Sequence, residues 1–148
     1  MKKPKKKKPK TPQQLKETMR KRAVAMAKEI NKILAGYLCE YCHTGKPFKR
    51  VESHHIFNEG HHISMSADPD NMICLCSLHH GNGRFVARSG TFGFHRTPAE
   101  AMEWFKEKHP ERYQSLKERT WKSETCTIEY WKEKIVELSE IIKNINKT

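Results

Sequence analysis

Residues 51–80 read VESHHIFNEGHHISMSADPDNMICLCSLHH, and this stretch holds six of the nine His in the chain. Its first part, with Val51, Ile56 and Phe57 around Glu52, His54 and His55, predicts a strand. Glu59-Gly60 followed by ISM predicts a turn and a return strand. Asp70 or Asn71 then caps a helix carrying Ile73, Cys76 and His80. The expected order is hairpin, then helix.

Working outward, Cys39 and Cys42 form a C-x2-C pair just upstream, and Cys76 with His79 forms a C-x2-H pair inside the stretch. Two such pairs supply four ligands of the kind a closed tetrahedral zinc site uses, because a two-residue gap lets both side chains of a pair reach one ion. An odd count of five Cys rules out a fully bridged disulfide framework. A structural Zn2+ on Cys39, Cys42, Cys76 and His79 is therefore expected. Cys74 reads as a core residue and Cys126 as a free thiol.

Composition explains why a metal is needed. Leu, Ile, Val and Phe make up 27 of the 148 residues, against 31% charged residues and a net charge of +12. That leaves too little apolar material for a large core. Burial nearly cancels ordering entropy in units this small, whereas structural zinc contributes on the order of 10 kcal/mol. No stretch approaches the roughly 18 apolar residues of a membrane span, and the basic start leads into no apolar segment. The expectation is a cytoplasmic protein without membrane contact.

Charge is uneven. Residues 1–10 hold seven Lys and no acid, a self-repelling run with nothing to bury, whose natural partner is a polyanion. Thr11, Pro12 and Gln14 form a capping-box signature that opens a helix running to about Ala35, with Leu15, Met19, Ala23, Met26, Ile30 and Ile33 on one face and Arg20, Lys21 and Arg22 on the basic side. Thr97, Pro98 and Glu100 repeat the signature ahead of Met102 and Phe105, and that helix stops near Pro110. A second helical segment holds Tyr113, Leu116 and Trp121. Ile128, Trp131, Ile135, Leu138, Ile142 and Ile145 then alternate in steps of three and four. That heptad stripe suits docking on the body or a homodimer through the C-terminal helix, and its three-repeat length favours docking.

Taken together, His-His on a strand, Asn71 before a helix and His80 on it, interleaved with C-x2-C and C-x2-H, resemble the HNH endonucleases of the ββα-metal class. Within that class the likeness is to phage recombination nucleases of the NinG or Rap type, with their HH-I-F and N-x-I-C-L-C motifs, and it covers roughly residues 37–118. The resemblance implies DNA as partner and hydrolysis of its phosphodiester bonds, including those of branched recombination intermediates. It gives His55 the role of general base, His54 and His80 that of ligands to one catalytic divalent ion, and Asn71 that of support for the base. Relatives often carry an acid where His54 stands, and Glu52 shares its strand face, so either can be the strand ligand. Nitrogen ligands move preference from Mg2+ towards Mn2+, Ni2+ or Zn2+. Hydrolysis of an anionic diester needs a positioned base and a cation, and imidazole is a competent base near neutral pH. Lys49, Arg84 and Arg88 are candidate DNA contacts. His61, His62 and His95 have no role in the pattern, and His95 is the strongest auxiliary candidate.

The expected architecture is α+β. A disordered basic tail at 1–11 and an N-terminal helix at 12–36 precede a zinc-stabilised ββα-metal (HNH) module at 37–96, and a helical region follows at 97–148. The competing expectation is a zinc-stabilised nucleic-acid-binding module without catalysis, which leaves His54, His55, Asn71 and His80 unexplained.

Overall fold

The computed structural model describes residues 9–43, 50–81, 92–122 and 124–147. Most of the basic tail, and Lys49, Arg84 and Arg88, lie outside them. Helix α1 spans Pro12–Leu34 and opens on the capping box read from the sequence: Thr11 Oγ1 accepts from Gln14 N, and Gln14 Oε1 accepts from Thr11 N at 3.0 Å. Past its end the chain turns through Gly36 and Tyr37, both at positive φ (61° and 55°).

Strand β1, Val51–His55, pairs antiparallel with β2, Met72–Cys76, in a register that sets Val51 against Cys76 and His55 against Met72. The strand pair departs from the expected hairpin. Ile63–Met65 is a 3-10 turn rather than a return strand, and a second 3-10 turn, Pro69–Asn71, leads into β2. Ile73 and Cys76 therefore lie on a strand. The helix expected from Asp70 begins only at Ser77 and is one turn long, α2 at Ser77–His80, closed by Gly81 in the left-handed region at φ 86°. The cause is visible in β2 itself. All five of its residues are buried, and a strand covered on both faces reads as a continuous apolar run with no alternation to mark it.

Two layers cover the sheet. Ile73 and Leu75 pack with Phe94, Ala101, Phe105 and Leu116 in one core. Met72 packs with Ala23, Val24, Ala27, Ile30, Trp131 and Leu138 in the other. The first core rests on α3, Pro98–Lys108, and α4, Pro110–Arg119; the second on α1 and α5, Ile128–Ile145. The heptad stripe of α5 docks on α1, with Trp131 and Leu138 fully buried, each worth on the order of 2 kcal/mol of transfer free energy. Thr97 makes no capping bond to α3; its hydroxyl instead contacts Gly93 N and O at 3.3 and 3.2 Å. Trp121 falls beyond α4 and is 83% exposed. The fold is mixed α+β, and no helix among the described residues is long and apolar enough to cross a membrane.

Polar ties hold the layers in register. Asn31 of α1 donates from Nδ2 to Met72 O at 2.9 Å, and Ser53 Oγ of β1 lies 2.9 Å from Lys28 O and 2.8 Å from Asn31 Oδ1. From the other side Arg112 of α4 donates to Asp70 O at 2.8 Å and to Met72 O. The Met72 carbonyl thus joins both helical layers.

Candidate metal centres

The first centre forms where the turn after α1 meets the end of β2. His43 N donates to Cys39 O at 2.7 Å, closing the C-x2-C turn, with His43 at φ 53°. Glu40 fastens that turn to the sheet: its N–H reaches Cys74 O at 2.8 Å and its Oε1 accepts from Cys74 N at 2.7 Å. Cys76 is the N-cap of α2, which brings His79 back beside it one helical turn later. Cys39 Sγ and Cys76 Sγ lie 3.6 and 3.2 Å from the same atom, His79 Nδ1. One ring nitrogen cannot hydrogen-bond two thiols at once, whereas zinc bonds of about 2.3 Å to sulfur and 2.0–2.1 Å to nitrogen put tetrahedral neighbours about 3.6 Å apart. Cys39, Cys42, Cys76 and His79 lie close enough together to hold one metal ion such as zinc. Burial pushes the Cys76 thiol up, so a cation is what would make it a thiolate, and burial keeps the His79 imidazole neutral. Tyr41 packs against His79 with ring centroids 4.4 Å apart and stacks on Phe92.

His80, the next residue, points elsewhere, as neighbours on a helix do at about 100°. With His54 of β1 and His95 it forms a second cluster, one nitrogen on each ring within 4.8 Å of the others. Ring centroids are 5.4 Å apart for His54–His80, 4.5 Å for His54–His95 and 4.7 Å for His80–His95. Burial, followed by the charges of His95, His80, His55 and Lys28, pushes His54 down to about 3. Burial and His95 also lower His80, against the opposing pull of Glu52. Imidazole nitrogen is a good ligand for a divalent ion, so this donor set fits one. The His80 Nδ1 atom is buried with no aligned hydrogen bond. Glu52 Oε2 lies 3.1 Å from it, while Glu52 Oε1 meets Arg50 at 3.3 Å. Glu52 thus sits beside the three imidazoles rather than among them.

His54, His80 and His95 open into a cleft of about 810 Å³ that is also lined by Lys28, Lys32, Arg50, Glu52 and His55. All five residues of β1 line it. Since alternate side chains of a strand point to opposite faces, the cleft runs along the strand's unpaired edge. His55 enters from the other face of β1. Its Nε2 lies 2.8 Å from Ser66 O, and a carbonyl can only accept, so Nε2 is the donor and in the neutral ring the lone pair falls on Nδ1. Asn71, fully buried, fixes the segment that holds Ser66. Its Oδ1 accepts from Phe57 N at 2.9 Å, and its Nδ2 donates to Phe57 O at 3.0 Å and Met65 O at 3.2 Å.

On the basic side of α1, Arg20 is engaged by Glu17 and Glu59, and Lys21 lies 3.8 Å from Glu17. The α1 cations in the cleft are Lys28 and Lys32, which no motif distinguished. His61 and His62 line a separate small cavity beside Trp121. Cys74 and Cys126 are both buried, and both are free thiols. No family model, no curated protein and no solved structure matches this chain.

Proposed function

We propose that this protein is a metal-dependent endonuclease of the ββα-metal (HNH) type that hydrolyses DNA phosphodiester bonds, branched recombination intermediates included. The proposal has a structural zinc on Cys39, Cys42, Cys76 and His79 and one divalent catalytic ion on His54, His80 and His95. The observation that carries it is the 2.8 Å contact between His55 Nε2 and Ser66 O, which turns Nδ1 into the nitrogen available as a base. A base oriented by Ser66 O, in the same cleft as His54, His80 and His95, is an arrangement for removing a proton from water next to a bound phosphodiester. His54, His80 and His95 would hold a divalent ion, which would supply positive charge for the phosphate oxygens. His55 takes the proton of the attacking water at Nδ1 while Ser66 O holds the opposite N–H. Asn71 acts through the backbone of Phe57 and Met65, as a positioning residue. Lys28, Lys32 and Arg50 give the cleft the sign of charge that a polyanion needs.

The test is cleavage of supercoiled plasmid and of a synthetic four-way junction with Mg2+, Mn2+, Ni2+ or EDTA, comparing the native chain with His55→Ala. A positioned base contributes on the order of 10²- to 10⁴-fold, so the variant should lose cutting by that factor while its circular dichroism and zinc content stay native. If neither protein cuts with any ion while both bind DNA and hold zinc, the chain is a zinc-stabilised binding module and the catalytic reading fails.

A further inference from the structure

Three cations line the cleft along β1, and their surroundings differ. Lys32 Nζ is paired with Glu29 Oε2 at 2.7 Å, and Arg50 with Glu52 Oε1 at 3.3 Å. Lys28 has no acidic partner among the described residues, although it is partly buried and projects from a helix packed on the sheet. Its own carbonyl faces Ser53 Oγ at 2.9 Å, which pins this turn of α1 one residue from His54. The Lys28 charge is felt at both His54 and His80, where it disfavours a proton. A partly buried ammonium lining an open cleft, with its hydration reduced and no carboxylate to answer it among the described residues, calls for an anion from outside.

We infer that Lys28 grips the phosphodiester backbone in the cleft, its ammonium bonding a non-bridging oxygen of a phosphate that lies along the open edge of β1. The inference rests on the nuclease reading for its catalytic consequence, but its binding consequence stands separately. The substrate class is a nucleic-acid strand, because the cleft is open along β1 and, of Lys28, Lys32 and Arg50, Lys28 is the cation that no acid pairs among the described residues. The assignment also extends the working surface to α1, outside residues 37–118. Helix α1 is then a functional wall of the cleft as well as a packing partner of α5.

The test uses the full chain in two backgrounds. In His55→Ala, which holds cleavage off, binding of a labelled duplex is measured by anisotropy from low to moderate salt. Each phosphate contact adds about 0.9 to the slope of log K against log salt, so Lys28→Met should lower the slope by about that amount and Lys28→Arg should restore it. In the native background, Lys28→Met should slow single-turnover cutting at saturating DNA on the order of 100-fold, with Lys28→Arg recovering most of it. Thermal midpoints and zinc content show whether each variant folds, and Lys28→Gln replaces Lys28→Met if the latter does not. An unchanged slope overturns the inference whatever the cleavage result. If the native chain fails to cut while the slope still falls, the nuclease reading is lost and the phosphate contact stands.

Discussion

Asn71 offers the sharpest structural test, because one fully buried side chain makes three hydrogen bonds to backbone groups: Phe57 N, Phe57 O and Met65 O. Asn71→Ala removes all three and strands those backbone groups in a partly buried loop. At about 1 kcal/mol net per bond, with a further penalty for unsatisfied partners, the loss is about 3–4 kcal/mol. In a domain of this size each kcal/mol lowers the melting midpoint by about 2–4 °C, so a fall of roughly 10 °C is expected by differential scanning calorimetry of the zinc-loaded protein. Asn71→Asp sharpens the test. It keeps an acceptor for Phe57 N but faces two carbonyls with a carboxylate, so it should be at least as damaging at neutral pH and recover partly in mild acid as it protonates. The functional consequence follows the same path, since the loop released is the one carrying Ser66, which holds His55. A midpoint within 2 °C of native for Asn71→Ala would refute the reasoning, because those bonds would then contribute nothing net.

Two further outcomes follow from the metal centres. Chelation of the zinc, or Cys76→Ser, should abolish the near-ultraviolet dichroism and protease resistance of the strand region, while part of the helical far-ultraviolet signal persists. The core of α1 and α5 contains none of Cys39, Cys42, Cys76 or His79, and structural zinc contributes on the order of 10 kcal/mol; native protease resistance after exhaustive chelation would contradict this. Acid should destabilise the fold earlier than carboxylates alone would: unfolded His binds a proton near pH 6.5, whereas folded His54 does so only at about 3. The unfolded state therefore binds more protons between those values, and stability declines as pH falls from about 6.5 towards 3, by at most about 1.4 kcal/mol per unit from this group. A metal ion on the ring acts in the same direction, because it competes with the proton for one lone pair. Replacing His54 with Gln should flatten the midpoint-against-pH curve in that window, and an unchanged curve would sink the assignment.

What could be read from the sequence divides along a physical line. The Cys39-Cys42 and Cys76-His79 pairs were legible because ligand spacing is local, and Thr11 capped α1 as its pattern required. Thr97 carries the same signature, yet Gly93, four residues upstream, takes its hydroxyl; the competitor lies outside the motif. MICLC carries no alternation to mark it as a strand, because it is buried on both faces. His95 was reachable only as a surplus imidazole, since its partners at positions 54 and 80 are distant in the chain. Lys28 had no signal at all. Which cations on α1 find an acidic partner among the described residues depends in part on acids brought by other elements, such as Glu59 beside Arg20.

The docking of α5 on α1 also has a consequence for how the chain is born. Roughly a hundred residues separate Leu34 from Ile128, and at about 5–20 residues per second of synthesis the apolar face of α1 waits on the order of 10 s for its cover. During that interval Ala23, Val24, Ala27 and Ile30 have no Trp131 or Leu138 to meet. A nascent chain stalled before residue 128 should therefore be a chaperone client, and release from the chaperone should track the emergence of α5 from the ribosome.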